Sequence, residues 1–126
     1  MLKEKIVYLE NGEDKYPLLF STAVMQFMQE KFNDVDIIQK IQIDGSMPDF
    51  RIMNPLLLEL INEGIKYMNR FSDKKRKFIN EEMVGWIVAE VGWNAAFTKI
   101  AESLKLCMPE AGFNSKNETA TQSANP

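Results

Sequence analysis

The sequence predicts an α+β fold, mostly helical, in which an N-terminal β-hairpin is followed by about five helices. Three observations carry that prediction. Two β-prone runs flank an Asn-Gly pair at residues 11–12. Asn54-Pro55 opens a long segment with a continuous apolar stripe. Four other segments place apolar residues at helical spacing behind capping residues or before helix stops.

The hairpin is expected over residues 5–20, with Ile6-Val7-Tyr8-Leu9 and Tyr16-Pro17-Leu18-Leu19-Phe20 as its strands. Asn11-Gly12 marks the turn, because the central residues of a type I′ turn need positive φ. Pro17 cannot donate to a ladder, which puts the second strand at an edge or ends it early. Ser21 or Thr22 caps a first helix to about Phe32, with Val24, Phe27 and Met28 on its inner face. Asp34 caps a short second helix through Val35, Ile38 and Ile41, and residues 44–53 read as a loop.

Asn54 then caps the central helix, with Pro55 at its first position, where a missing N–H costs nothing. The stripe Leu57, Ile61, Gly64, Met68, Phe71 steps by four and three to the helix end. Residues 72–80 form a basic connector. Asn80 caps a fourth helix whose buried face is Val84, Ile87, Val88 and Val91, with Glu81 and Glu82 at its positive end and Gly92 as its stop. A last helix runs from about Trp93 to Met108, with Phe97, Ile100, Ala101 and Leu104 inward and Pro109 beyond. Residues 1–108 are therefore expected to form one globular domain. From residue 109 the composition turns to Asn, Ser, Thr, Ala, Gln and Lys, which predicts a flexible polar tail over 109–126.

Composition narrows the function. Apolar residues make up 45% of the 126, ordinary for a globular chain, and a net charge of −3 dictates neither nucleic acid nor an acidic membrane as partner. The single cysteine, Cys107, cannot form an internal disulfide, and no apolar run approaches the roughly 20 residues that span a bilayer. The first residues carry no signal-peptide pattern, so the expected compartment is the cytosol. With no histidine, the commonest general base and metal ligand is missing, and a structural zinc site is excluded.

Several residues could carry chemistry, and each has a plainer reading. Glu59 and Glu63 are four apart and could work as an acid–base pair, but a solvated helix face explains them as well. Cys107 lacks an activating base and reads as a packed cysteine. No glycine pattern cradles phosphate. Gly64 and Gly85 sit inside predicted helices, for close packing or for no reason at all. The basic run Lys66, Arg70, Lys74, Lys75, Arg76, Lys77 suits phosphate binding or a solvated connector. Eight methionines favour an adaptable apolar surface, although Met25, Met28, Met53, Met68 and Met83 also suit core gaps. Trp86 and Trp93 are core residues or exposed interface anchors.

Two segments in this order carry a family resemblance. The first is Lys15-Tyr16-Pro17-Leu18-Leu19-Phe20 followed by Thr22-Ala23-Val24-Met25-Gln26-Phe27-Met28-Gln29-Glu30-Lys31-Phe32. The second is Leu56-Leu57-Leu58-Glu59-Leu60-Ile61-Asn62-Glu63-Gly64-Ile65-Lys66-Tyr67. Over roughly residues 5–108 the chain resembles the tail assembly chaperones of long-tailed phages and prophages. That family typically has a hairpin ending in a "YPL-F" strand, a helix ending in "-EK(F/Y)" and a later "NEG-KY" helix. Asn33 stands where a glycine often follows the first helix; asparagine tolerates the same left-handed backbone.

The resemblance implies a binding protein with no catalytic residue, no cofactor and no metal. Its partner would be the tape measure protein, kept soluble during tail morphogenesis until tail tube subunits assemble around it. It implies action in the cytoplasm of a bacterial host, absence from the mature virion and compatibility with self-association. A polar ending such as 109–126 fits the short form of a family that often also has a frameshifted long form. A holdase needs an apolar groove and no chemistry. The residues expected to touch a partner are Leu57, Ile61, Met68, Trp86 and Trp93. The alternative is a small nucleic-acid-associated regulator using the basic segment 66–77.

Overall fold

The structure, a computed structural model, describes residues 2–32 and 47–107. Among them a 3-10 turn (Leu2–Lys5) leads into strands β1 (Val7–Asn11) and β2 (Asp14–Leu18). Four helices follow: α1 (Thr22–Phe32), α2 (Phe50–Asn69), α3 (Glu81–Val91) and α4 (Trp93–Cys107). The chain is thus α+β and mostly helical. The short helix expected around Val35–Ile41 and the tail 109–126 lie outside the described residues.

The strands pair antiparallel from Val7 with Leu18 to Asn11 with Asp14. Asn11 is therefore paired, and the two-residue turn is Gly12-Glu13, one position later than the Asn-Gly reading. Gly12 has φ +63°, the positive value a primed hairpin turn demands at its first central position. Asn11 instead sends its Nδ2 to Glu90 Oε1 on α3, 2.7 Å away.

Helix α2 is the centre of the fold and touches β2, α1, α3 and α4. Its Leu56, Leu57, Leu60, Ile61 and Ile65 are fully buried, together with Leu18, Leu19, Met28 and Ile100 from the elements around it. It begins one turn before the expected Asn54-Pro55. Asp49 is the N-cap: its Oδ1 accepts from the Arg51 N–H at 3.0 Å, and its carbonyl accepts from Met53 at 2.9 Å. The Arg51 guanidinium also grips the Asp49 carboxylate and holds its pKa below the usual carboxyl range. The extra turn buries Met53 and packs Phe50 and Ile52 on the core. Pro55 leaves the Arg51 carbonyl without its helical donor, but Arg51 is exposed and water can serve it.

Strand β2 lies backbone-first on α2. Leu19 N–H donates to the Leu60 carbonyl at 3.1 Å. A Cβ on residue 64 would sit 2.7 Å from the Pro17 carbonyl carbon and closer still to its oxygen. Gly64 is therefore a close-packing glycine, whereas a Cβ at Gly85 meets nothing within 4 Å. The proline at position 17 gives up an N–H on a strand whose outer side is covered by a helix.

Connector 72–80 runs back along α2 and is clamped by two asparagines one heptad apart. Asn69 Nδ2 donates to the Arg76 carbonyl (3.0 Å) while its Oδ1 accepts from Arg76 N–H (2.9 Å). Asn62 makes the same pair of bonds with Ile79, at 3.0 and 2.9 Å. Ile79 is thereby turned into the core and Phe78 outward. Asn80 then caps α3 as expected, its Oδ1 accepting from Met83 N–H at 2.9 Å. Gly92, with φ +94°, ends α3 through its N–H to Val88, and its carbonyl starts α4 by accepting from Ala96.

Two stability measurements follow. Gly64→Ala should lower unfolding free energy by roughly 2 kcal/mol through overpacking, while Gly85→Ala should raise it by up to about 1 kcal/mol through helix propensity alone; denaturant melts read both. Asn62→Ala leaves the Ile79 backbone groups unpaired and should cost about 2 kcal/mol. It should also speed trypsin cleavage at Lys74–Lys77, seen by mass spectrometry of the first fragments.

Candidate functional site

The five residues expected to touch a partner fall into three environments. Leu57 and Ile61 are fully buried, so in this fold they serve the core and present nothing to a partner. The stripe that drew attention to them is the core seam itself. Met68 is half-buried and lines a cleft of about 220 Å³ with Tyr8, Pro17, Ile65, Lys74 and Arg76. Trp93 is half-buried against the core at the α3–α4 junction. Trp86 is 63% exposed on the outer face of α3 and is not among the lining of that cleft.

The outer face of α3 is built from the sequence directly. Val84, Ile87 and Val88 are buried and Val91 packs on the core. At 100° per residue Trp86 falls opposite that face, beside Met83. Met83 is exposed rather than the core filler its type suggests, and Phe78 is exposed at the end of the connector. Phe71 also departs from expectation: α2 ends at Asn69, so the last step of the stripe lies outside the helix. Its ring is 66% exposed and packs edge-on to Tyr67, 5.1 Å between centroids, with the Arg70 guanidinium 5.6 Å from it.

Much of the basic run is engaged within the fold. Lys75 Nζ donates to the carbonyls of Asn69 and Ser72, where the negative end of α2 favours a cation. Arg76 donates to the Lys15 carbonyl at 2.6 Å and lies 4.8 Å from the Tyr16 ring centroid. Burial raises the Tyr16 pKa, with Asp14 adding to the rise and Arg76 opposing it.

Glu59 and Glu63 are half-buried rather than on a fully solvated face. Glu63 Oε2 accepts from Ser21 Oγ at 2.7 Å, tying the α1 cap to α2. Burial, and then the neighbouring Glu63, push the Glu59 pKa up, with Lys66 pulling it down. Cys107 lies beside Lys5, and burial raises its thiol pKa against smaller pulls from the Phe20 backbone and Lys5. That environment disfavours the thiolate a nucleophile needs. Among the described residues no group of three His, Cys, Asp or Glu side chains could hold a metal ion, and no helix is long and apolar enough to cross a membrane.

The raised Glu59 pKa sets a sign for stability against pH. A carboxyl that holds its proton more tightly when folded stabilises the fold in acid and loses that contribution as pH rises through the folded value. Glu59→Gln should therefore melt above the wild type at pH 7, and the gap should close below the ordinary glutamate value of about 4.3. A variant melting lower at pH 7 would show that the charge helps the fold instead. In comparisons with known proteins, no family model, no curated protein and no solved structure matches the chain.

Proposed function

We propose that this chain is a tail assembly chaperone of a long-tailed phage or prophage, a binding protein that keeps the tape measure protein soluble while the tail is built. The observation that carries the reading is the meeting of the two segments on which the resemblance rests. The Tyr16-Pro17-Leu18-Leu19 strand lies on the Asn62-Glu63-Gly64 turn of α2, through Leu19 N–H to the Leu60 carbonyl and Pro17 against Gly64. Ser21, just after that strand, is tied to Glu63. Segments far apart in sequence thus form one packed unit, which supports treating the two segments as one signature rather than as separate coincidences.

A second support is the surface. Trp86, Met83 and Phe78 are exposed on rigidly anchored elements, and exposed aromatic and methionine side chains are what an apolar helix would need in order to bind without chemistry. In this reading the protein acts in the bacterial cytoplasm, is absent from the finished virion, meets the tape measure protein and then yields it to tail tube subunits, and performs no catalysis.

Co-expression with a fragment of a long-tailed phage tape measure protein tests the reading. The fragment should become soluble and co-purify with the tagged chain. A fragment that stays insoluble and unbound would remove the proposal. Salt-sensitive binding of DNA or RNA, weakened by Lys→Ala changes within 66–77, would put the nucleic-acid alternative in its place.

A further inference from the structure

The outer face of α3 has features that core packing does not explain. Trp86 is 63% exposed and takes no part in the packing around the core, unlike Trp93 and Phe97. Met83, one turn before it, is 41% exposed, and Ala89, one turn after, is exposed as well. A large apolar side chain left in water on a rigid helix gains nothing for the fold; it is the kind of residue that dominates binding when a partner desolvates it.

The geometry around Trp86 suits a helix. Rows of side chains four apart form ridges and grooves on a helix surface. The row Glu82, Trp86, Glu90 is a ridge. The adjacent row is low at Gly85 and Ala89, and a Cβ at Gly85 would meet nothing within 4 Å. A ridge with an open groove beside it accepts the side chains of a second helix lying across it. The charges name what that helix carries. Helix α3 has three carboxylates, Glu81, Glu82 and Glu90, and no cation. Glu82 and Glu90 bracket Trp86 at i−4 and i+4, and the hydrogen bond Glu90 accepts comes from a neutral amide, Asn11, at 2.7 Å. Carboxylates flanking an apolar anchor attract a cationic rim and repel an acidic one, and an indole face adds attraction for lysine or arginine.

We infer that the Trp86 face of α3 docks a basic amphipathic helix, its apolar stripe on Met83 and Trp86 and its lysines or arginines on Glu82 and Glu90. The inference deepens the chaperone reading and rests on it for the identity of the natural partner. The surface itself belongs to α3.

The probe is a pair of synthetic helical peptides of about 18 residues, five turns, with the same leucine stripe and either all-lysine or all-glutamate polar faces. Calorimetry should show the intact chain binding the Leu/Lys peptide and not the Leu/Glu peptide. Trp86→Ala should weaken binding about tenfold or more, as loss of an anchoring tryptophan does. The double reversal Glu82→Lys with Glu90→Lys should abolish Leu/Lys binding and confer Leu/Glu binding. All these positions are exposed, and circular dichroism checks that each variant stays folded. Failure to bind either peptide, equal binding of both, or a Trp86→Ala variant that binds like the wild type would overturn the inference. The tape measure co-expression separates the two proposals. If neither peptide binds while the wild type retains the fragment, the docking surface is wrong and the chaperone reading stands. If the wild type binds Leu/Lys peptide but not the fragment, the surface stands and the chaperone reading falls.

Discussion

Strand β2 rests on α2 through backbone as well as through side chains, and only a glycine at position 64 permits the backbone contact. Most hairpins reach a helix through a layer of side chains. Here the Pro17 carbonyl occupies the space a Cβ would take, and Leu19 donates to a carbonyl already inside a helix. A two-stranded hairpin is marginal alone, so its attachment has to come from outside the sheet. The close approach buries Leu18, Leu19 and Leu60 completely and brings Ser21 within reach of Glu63. The start of α1 is thus set by the same contact that seats the hairpin.

The other side of α2 positions the exposed surface. Asn62 and Asn69 each bond both polar groups of one connector residue, which replaces the neighbouring strand those groups would otherwise require. Because Ile79 is clamped with its side chain inward, Asn80 arrives at the helix start with its carboxamide on the Met83 N–H, and the rotation of α3 follows. Gly92 then turns the chain into α4 with a single residue between the helices. The outward placement of Trp86 is therefore the end of a chain of constraints that begins at the Asn62 clamp.

Local signals in the sequence proved the most legible. Asn80 with Glu81-Glu82, Ser21 before α1 and Gly92 after α3 each act through neighbours in the chain, and the structure places each where local chemistry predicts. Two local readings failed because a second local signal competed. Asn54-Pro55 has the form of a helix start, but Asp49 caps one turn earlier, where Met53 can be buried. Asn11-Gly12 has the form of a turn, but pairing of Asn11 with Asp14 moves the turn to Gly12-Glu13. The asparagine clamps were illegible, since side chain to backbone bonds across 7 and 17 residues leave no periodic trace. The surface was half legible. The period of α3 alone places Met83 and Trp86 outward, whereas the α2 stripe marks Leu57 and Ile61 as core and not as an interface. Gly64 and Gly85 look alike in sequence and differ only in what lies above them.

Native-state hydrogen exchange of the Leu19 amide tests the seating of the hairpin most directly. Its partner is a helix carbonyl rather than a strand, so its protection reports the contact between hairpin and helix. The account predicts that Leu19 exchanges as slowly as the central amides of α2, through global unfolding only. Exchange as fast as that of the exposed turn residue Glu13 would mean that the hairpin lifts off α2 locally, and that the Gly64 contact does not organise the fold.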